Sequence, residues 1–211
     1  ELINARPDRH MHLPGAGVGG HCLPKDSWLL NHGLETYGRP ATRRSGRWAD
    51  RLQLIPLARE INDAMPEHMR SLAEVALAEL GRRLAESKVA LLGAAYLEDS
   101  DDARNTPAAA LARLLTLGGA EVVIHDPFVR EEEWQRAMGP GTKVPLTTDL
   151  WEALRGADCA ALVTKHREYL RLDLKRVAEA MRTRVLVDGR NAFDQALCVN
   201  AGFVVRVVGK G

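Results

Sequence analysis

The 211-residue sequence has little that would tie it to a membrane, a nucleic acid or a secreted scaffold. It holds only three cysteines, Cys22, Cys159 and Cys198, odd in number and far apart, which argues against a disulfide framework. Lys plus Arg at 29 against Asp plus Glu at 28 leave a net charge of +1. Such a balance gives no basic footprint for nucleic acid and none for an anionic membrane. No apolar run reaches the length needed to span a bilayer, and no signal-peptide pattern opens the sequence. The seven histidines form no HxxxH and the cysteines no CxxC, so no metal site is expected. The compartment reads as cytoplasmic and reducing.

Against that background one phrase stands out: GAGVGGHCLPKD, Gly15 to Asp26. Gly15, Gly17, Gly19 and Gly20 let a backbone take positive φ and approach a ligand closely. The loop delivers Cys22, with Lys25 and Asp26 close behind. A thiol beside a cation and a carboxylate has the parts of a covalent catalyst. An isolated cysteine is more often a buried packing residue, but the glycines, Lys25 and Asp26 favour chemistry. The sequence opens at Glu1 with ELINARPD, and no strand or helix pattern precedes the glycine loop. It reads as a chain whose N-terminal portion lies upstream.

Three zones follow. Residues 1–50 hold the glycine loop, a short helix around Ser27 to Leu30, and all but the last residue of an arginine-rich connector, GRPATRRSGRWADR, over Gly38 to Arg51. The connector's five arginines read as a solvated loop. Residues 51–86 carry an apolar stripe: Leu54, Ala58, Ile61, Met65, Met69, Leu72, Ala76, Leu80 and Leu84. Steps of three and four put these on one face of a long helix, kinked or restarted at Pro66. Residues 87–211 alternate strands (KVALLG, AEVVIHD, CAALVT, RVLVDG, FVVRVV) with helices over Pro107–Leu117, Glu131–Ala137, Asp149–Leu154 and Leu172–Met181. Thr106 before Pro107 is a strong N-cap. This pattern predicts an α/β fold with a Rossmann-like, doubly wound parallel sheet. Ligands of such sheets sit beyond the carboxyl ends of the strands. Gly93–Tyr96, Asp126, Thr164–His166 and Asp188–Arg190 are expected there, Asp126 merely ending its strand at an Asp-Pro turn. No GxGxxG occurs in this zone, so it does not announce a dinucleotide site.

Six phrases now stand in order: GAGVGGHCLPKD, AREINDAMPEH (Ala58–His68), VALLGAAYLEDSDDARNTP (Val89–Pro107), HDP (His125–Pro127), TKHREY (Thr164–Tyr169) and VDGRNAFD (Val187–Asp194). Together they resemble the UDP-glucose/GDP-mannose dehydrogenase family across nearly the whole chain. The resemblance implies the catalytic-cysteine segment, the central helix that forms a homodimer, and the C-terminal UDP-sugar-binding domain. The family's N-terminal NAD-binding domain is not among these residues. The implied activity is a nucleotide-sugar 6-dehydrogenase of polysaccharide biosynthesis, oxidising a sugar C6 alcohol to a carboxylate with two NAD molecules. Cys22 matches the nucleophile that forms a thiohemiacetal and then a thioester, and Asp26 matches the residue that assists hydrolysis. Gly15, Gly17 and Gly19 match the loop around the sugar nucleotide, and Tyr96 and Arg190 match further substrate contacts. Arg6 or Arg9 stands near an arginine that reaches the sugar nucleotide. Cys22, Lys25 and Arg104 match positions near NAD. Arg104 could equally form an ion pair with Asp101 or Asp102.

Two departures bear on specificity. Leu97 stands where the family has a lysine that touches the sugar nucleotide, leaving Lys25, Lys165 or an arginine to replace it, or binding weakened. GGHC at Gly19–Cys22 resembles members acting on UDP-N-acetylhexosamines of the UDP-N-acetylmannosamine type, although LPKD is closer to UDP-glucose and GDP-mannose enzymes. A non-catalytic UDP-sugar-binding or dimerisation module remains the reading from a different class.

Overall fold

A computed structural model of the chain describes residues 13–37 and 52–210. Arg6, Arg9 and the connector lie outside them. The described chain runs α1 (Cys22–Tyr37), α2 (Leu54–Asp63), α3 (Met65–Glu79), β1 (Lys88–Leu92), α4 (Pro107–Leu117), β2 (Glu121–His125), α5 (Glu131–Met138), β3 (Leu146–Thr147), α6 (Leu150–Leu154), β4 (Cys159–Leu162), α7 (Leu174–Ala180), β5 (Val185–Asp188), α8 (Gln195–Asn200) and β6 (Val204–Val207).

The six strands form one sheet in the order β3-β2-β1-β4-β5-β6, every pair parallel. Strand order reverses between β1 and β4, which opens a crevice at their carboxyl ends. Period-two alternation sends neighbouring residues to opposite faces. Leu91, Ile124, Ala161 and Val187 meet α3, α4 and α5 on one side. Leu92, Val123, Leu162 and Leu186 meet α6, α7 and α8 on the other. A strand covered on both faces must be apolar throughout, and β4 and β5 are buried along their whole length.

The α/β, doubly wound expectation holds, with three corrections to its parts. The helix expected over Ser27–Leu30 runs from Cys22 to Tyr37, because Pro24 sits in its first turn, where a missing N–H costs nothing. The stripe from Leu54 to Leu84 is not one helix. It breaks at Ala64, restarts as α3 with Pro66 in the first turn, and ends at Glu79, leaving Leu84 in a separate 3-10 turn. The face that α3 buries is Pro66, Met69, Ala73, Ala76 and Leu77, rotated from the expected stripe because the sheet and α4 dictate which side is covered. Finally, β3 and α8 are additional elements. β3 is only two residues long, too short for any alternation to register.

α1 and α2 pack against each other yet bury no residue. Leu29, Leu30, Leu54, Leu57 and Ile61 remain half or more exposed. No described helix is long and apolar enough to cross a membrane.

Candidate functional site

The glycine loop runs across the carboxyl ends of β1, β4 and β5 and is held there by backbone bonds. Ala16 N–H donates to Gly189 O at 2.8 Å, and Gly20 N–H donates to Arg104 O at 2.9 Å. Two asparagines complete the clamp. Asn62 Oδ1 accepts from Val18 N–H at 2.9 Å, and Asn105 Nδ2 donates to Gly20 O at 2.9 Å. The fit is tight enough to demand glycine. A Cβ on Gly15 would stand 2.6 Å from Gly189 O, and one on Gly19 would stand 2.6 Å from both Asn105 O and Tyr96 Cβ. Gly17 and Gly20 adopt φ of 119° and 91°, which side chains rarely tolerate.

Beneath the loop lies a cavity of about 600 Å³ at the β1/β4 switch point, large enough for a drug-sized or nucleotide ligand. Gly17, Gly19, Cys22, Tyr96, Arg104 and Arg190 line it, and so do Leu97, Thr164 and Lys165. Gly15 supports the wall from behind, against Gly189 and Arg190. Arg190 is half-buried and committed to backbone. Its Nε donates to Val163 O at 2.6 Å and its Nη2 to Gly17 O at 3.1 Å. Burial pulls its pKa down, against the pull of Glu98 and Asp188. Arg104 grips Asp102 through Nε and Nη2, the latter at 2.6 Å, so the ion pair left open by the sequence forms with Asp102.

Cys22 is exposed and opens α1, where the first-turn N–H groups lack helical partners and can face developing negative charge. The other thiols contrast with it. Burial pushes Cys159 up to about 12 and Cys198 up to about 11, which leaves both unreactive. Lys25 and Asp26 follow one turn later on the Cys22 side of the helix. They pair with each other at 2.6 Å, exposed, beyond the residues that line the cavity.

Asp126 does more than end a strand. Fully buried, its Oδ2 accepts from Ala94 N–H (2.7 Å), Ala95 N–H (2.9 Å) and His166 Nε2 (3.0 Å). Its Oδ1 accepts from Phe128 and Val129 N–H. Burial works to raise its pKa, but these donors outweigh it and hold the carboxyl below its usual range. His166 Nδ1 accepts from Asp99 N–H at 2.9 Å, which fixes the proton on Nε2. Asp126 and His166 thus pin the loop that carries Tyr96 and Leu97. Asp188 does the same one crevice over, accepting from Arg190, Ala192 and Phe193 N–H. The sequence reading missed Asn62, Asn105 and this role of Asp126. The one local signal was Asn105 before Thr106-Pro107, an asparagine suited to its observed φ of 48°.

Residues 90–195 match the UDP-glucose/GDP-mannose dehydrogenase family, UDP binding domain. The chain belongs to the UDP-glucose/GDP-mannose dehydrogenase family. A UDP-N-acetyl-D-mannosamine dehydrogenase from Pyrococcus horikoshii is 33% identical over 212 residues, covering 100% of this chain and 43% of that protein. UDP-glucose 6-dehydrogenase 2 of Oryza sativa subsp. japonica is 32% identical, covering 92% of this chain and 42% of its own length. The solved NDP-N-acetyl-D-galactosaminuronic acid dehydrogenase from Methanosarcina mazei Go1 superposes with a TM-score of 0.82 at 36% identity, over 96% of this chain and 40% of that one. The chain therefore spans less than half the length of these dehydrogenases. Within the family, the cavity under the glycine loop falls partly in the UDP binding domain and partly in the segment before it.

Proposed function

We propose that this chain supplies the sugar-nucleotide site and the covalent catalyst of an NAD-dependent nucleotide-sugar 6-dehydrogenase. In that assignment residues 1–50 are the catalytic-loop segment, 51–86 the central helical segment and 87–211 the UDP-sugar-binding domain. One observation carries the reading. The exposed Cys22 stands at a helix N-terminus on the same cavity as Tyr96 and Arg190, at the switch point of the sheet. The substrate we favour is a UDP-N-acetylhexosamine of the UDP-N-acetylmannosamine type, supported by GGHC and by what several of the relatives are named for. UDP-glucose is the alternative, supported by the rice relative.

The chemistry of this chain's residues follows from their placement. The glycine loop and Arg190 bind and orient the sugar nucleotide. Once the C6 alcohol has become an aldehyde, the Cys22 sulfur adds to its carbonyl carbon, and the N–H groups opening α1 face the oxygen that gains charge. Loss of a second hydride leaves a thioester at Cys22. Water then adds to the thioester carbonyl, the carboxylate departs, and the thiol is regenerated. Asp26, one turn from Cys22, assists the proton transfers of hydrolysis. Two nicotinamide cofactors, bound one after the other, would each accept one of the two hydrides. The fit to NAD is peripheral: the segment from Gly93 to Thr106 between β1 and α4 carries no GxGxxG, and Pro107 opens α4 without an N–H. Cys22, Lys25 and Arg104 can meet only the edge of a dinucleotide held mainly elsewhere.

The exposed apolar residues of α1 and α2 support a homodimer formed by a second copy covering that pair of helices. The separate, unpaired cysteines support a cytoplasmic setting. The decisive experiment is Cys22→Ala in the intact protein, followed by NADH formation with UDP-N-acetylmannosamine, UDP-glucose and GDP-mannose. Net oxidation is expected to fall by at least about 10³-fold, roughly 4 kcal/mol of barrier, with UDP affinity unchanged. Oxidation to the acid at the normal rate would remove Cys22 as the nucleophile.

A further inference from the structure

A diphosphate in the cavity is best met by a cation that can swing onto it, and not by one already fixed by protein partners. Arg190 has given Nε and one Nη2 hydrogen to the carbonyls of Val163 and Gly17, so its guanidinium is fixed in the wall and offers only its remaining Nη hydrogens from there. Arg104 is chelated by Asp102. Lys25 is paired with Asp26 and lies off the cavity wall. Lys165 differs from all three. It lines the cavity from the loop after β4, and its Nζ stands 3.6 Å from Glu98 Oε1, an ion pair too long for a good hydrogen bond.

Its position is fixed on both sides. Thr164 N–H donates to Leu92 O and the Thr164 hydroxyl to Ala95 O, and the His166 ring is locked between Asp99 N–H and Asp126. The residue between these anchors has a rigid backbone at the β1/β4 switch point, where an anionic ligand belongs. Across from it, Leu97 presents only carbon to the same space. Glu98, more than half exposed, is the single anion facing Lys165 among the described residues.

We propose that Lys165 is the diphosphate-binding residue of this site and that Glu98 is its resident counter-ion, surrendered when the nucleotide arrives. The proposal rests on reading the cavity as the sugar-nucleotide site. It predicts effects of opposite sign at two neighbouring residues. Removing Lys165 removes an attraction, whereas neutralising Glu98 removes both a competitor for the ammonium and a repulsion toward phosphate. The nucleoside moiety is indifferent to either change.

Calorimetry on the intact protein, with UDP and with uridine, tests this. Lys165→Met is expected to weaken UDP binding about 10- to 50-fold and leave uridine binding unchanged, which also certifies the fold of the variant. Glu98→Gln is expected to strengthen UDP binding about 3-fold, and Lys165→Arg to retain most of it. UDP binding unaltered in Lys165→Met, or weakened equally with uridine binding, overturns the proposal. The rate of Cys22 alkylation by iodoacetamide separates this failure from failure of the site itself. Protection of Cys22 by UDP together with a neutral Lys165→Met removes only the role of Lys165. UDP that does not bind, or binds without protecting Cys22, removes both.

Discussion

The two rims of the same sheet use buried carboxylates for different ends. At the carboxyl rim, Asp126 and Asp188 spend their oxygens on backbone N–H groups of the loops that wall the cavity. At the amino rim, Asp158, equally inaccessible, accepts from Lys88 N–H, the Thr183 hydroxyl and the guanidinium groups of Arg82 and Arg182. One rim shapes loops that wall the cavity. The other fastens the segments that enter the strands, and no cavity adjoins Asp158 among those lined by the site residues. The same residue type is thus a site-builder or a staple according to which end of the strands it occupies.

Substitutions at the two rims should separate these roles. The largest loss is expected for Asp126→Asn. Its amide cannot accept from both pairs of N–H groups, and buried donors stranded away from water cost about 3 kcal/mol together. Thermal denaturation should show this loss, and calorimetry should show weaker UDP binding because the Tyr96 loop is released. Asp158→Asn is expected to cost less, about 2 kcal/mol, since Arg82 and Arg182 are a third and half exposed and can turn to water. UDP affinity measured below the melting transition should not change. A Asp158→Asn variant that binds UDP poorly while folded would break the distinction between the rims.

Acid sharpens the same comparison. Arg182, Lys88 N–H and Thr183 hold the Asp158 carboxyl well below its usual range despite burial, which works the other way. A depressed folded-state pKa contributes stability that is present above the unfolded value, near 4, and disappears as pH falls further. The slope of stability against pH below about 4 should therefore be shallower in Asp158→Asn than in the parent. The smallest structural effect is expected for Arg104→Ala. Its pair with Asp102 is solvent-exposed and contributes little to stability. The melting temperature should stay put while, on the function proposed above, KM for NAD rises in the intact protein. A lowered melting temperature with KM unchanged would make Arg104 a staple despite its place at the cavity.

Much of this organisation is legible in the sequence. KVALL, EVVIH, CAAL and VLVD are short, mainly apolar runs, EVVIH and VLVD rich in β-branched residues, and each forms a strand. Thr106 caps α4 by accepting from Ala108 N–H, as its place before Pro107 implied. Asp194 caps α8 in the same manner, by accepting from Ala196 and Leu197 N–H. The glycine loop also declared itself, because only a close approach accounts for four glycines in six residues.

The rest depended on contacts between distant parts of the chain. Periodicity could show that residues 54–84 were amphipathic, but not which face the sheet would cover. Nor could it show that α2 would be left without a buried residue. The partners of these side chains were equally hidden: Arg190 bonds to Gly17 across 173 positions, and His166 to Asp126 across 40. Local residue choice fixes what a segment can become, since caps, glycines and apolar alternation act within a few residues. Strand order, the crevice between β1 and β4, and the pairing that leaves Lys165 loosely held are long-range choices. They are decided only when burying both faces of the sheet brings those loops to one rim.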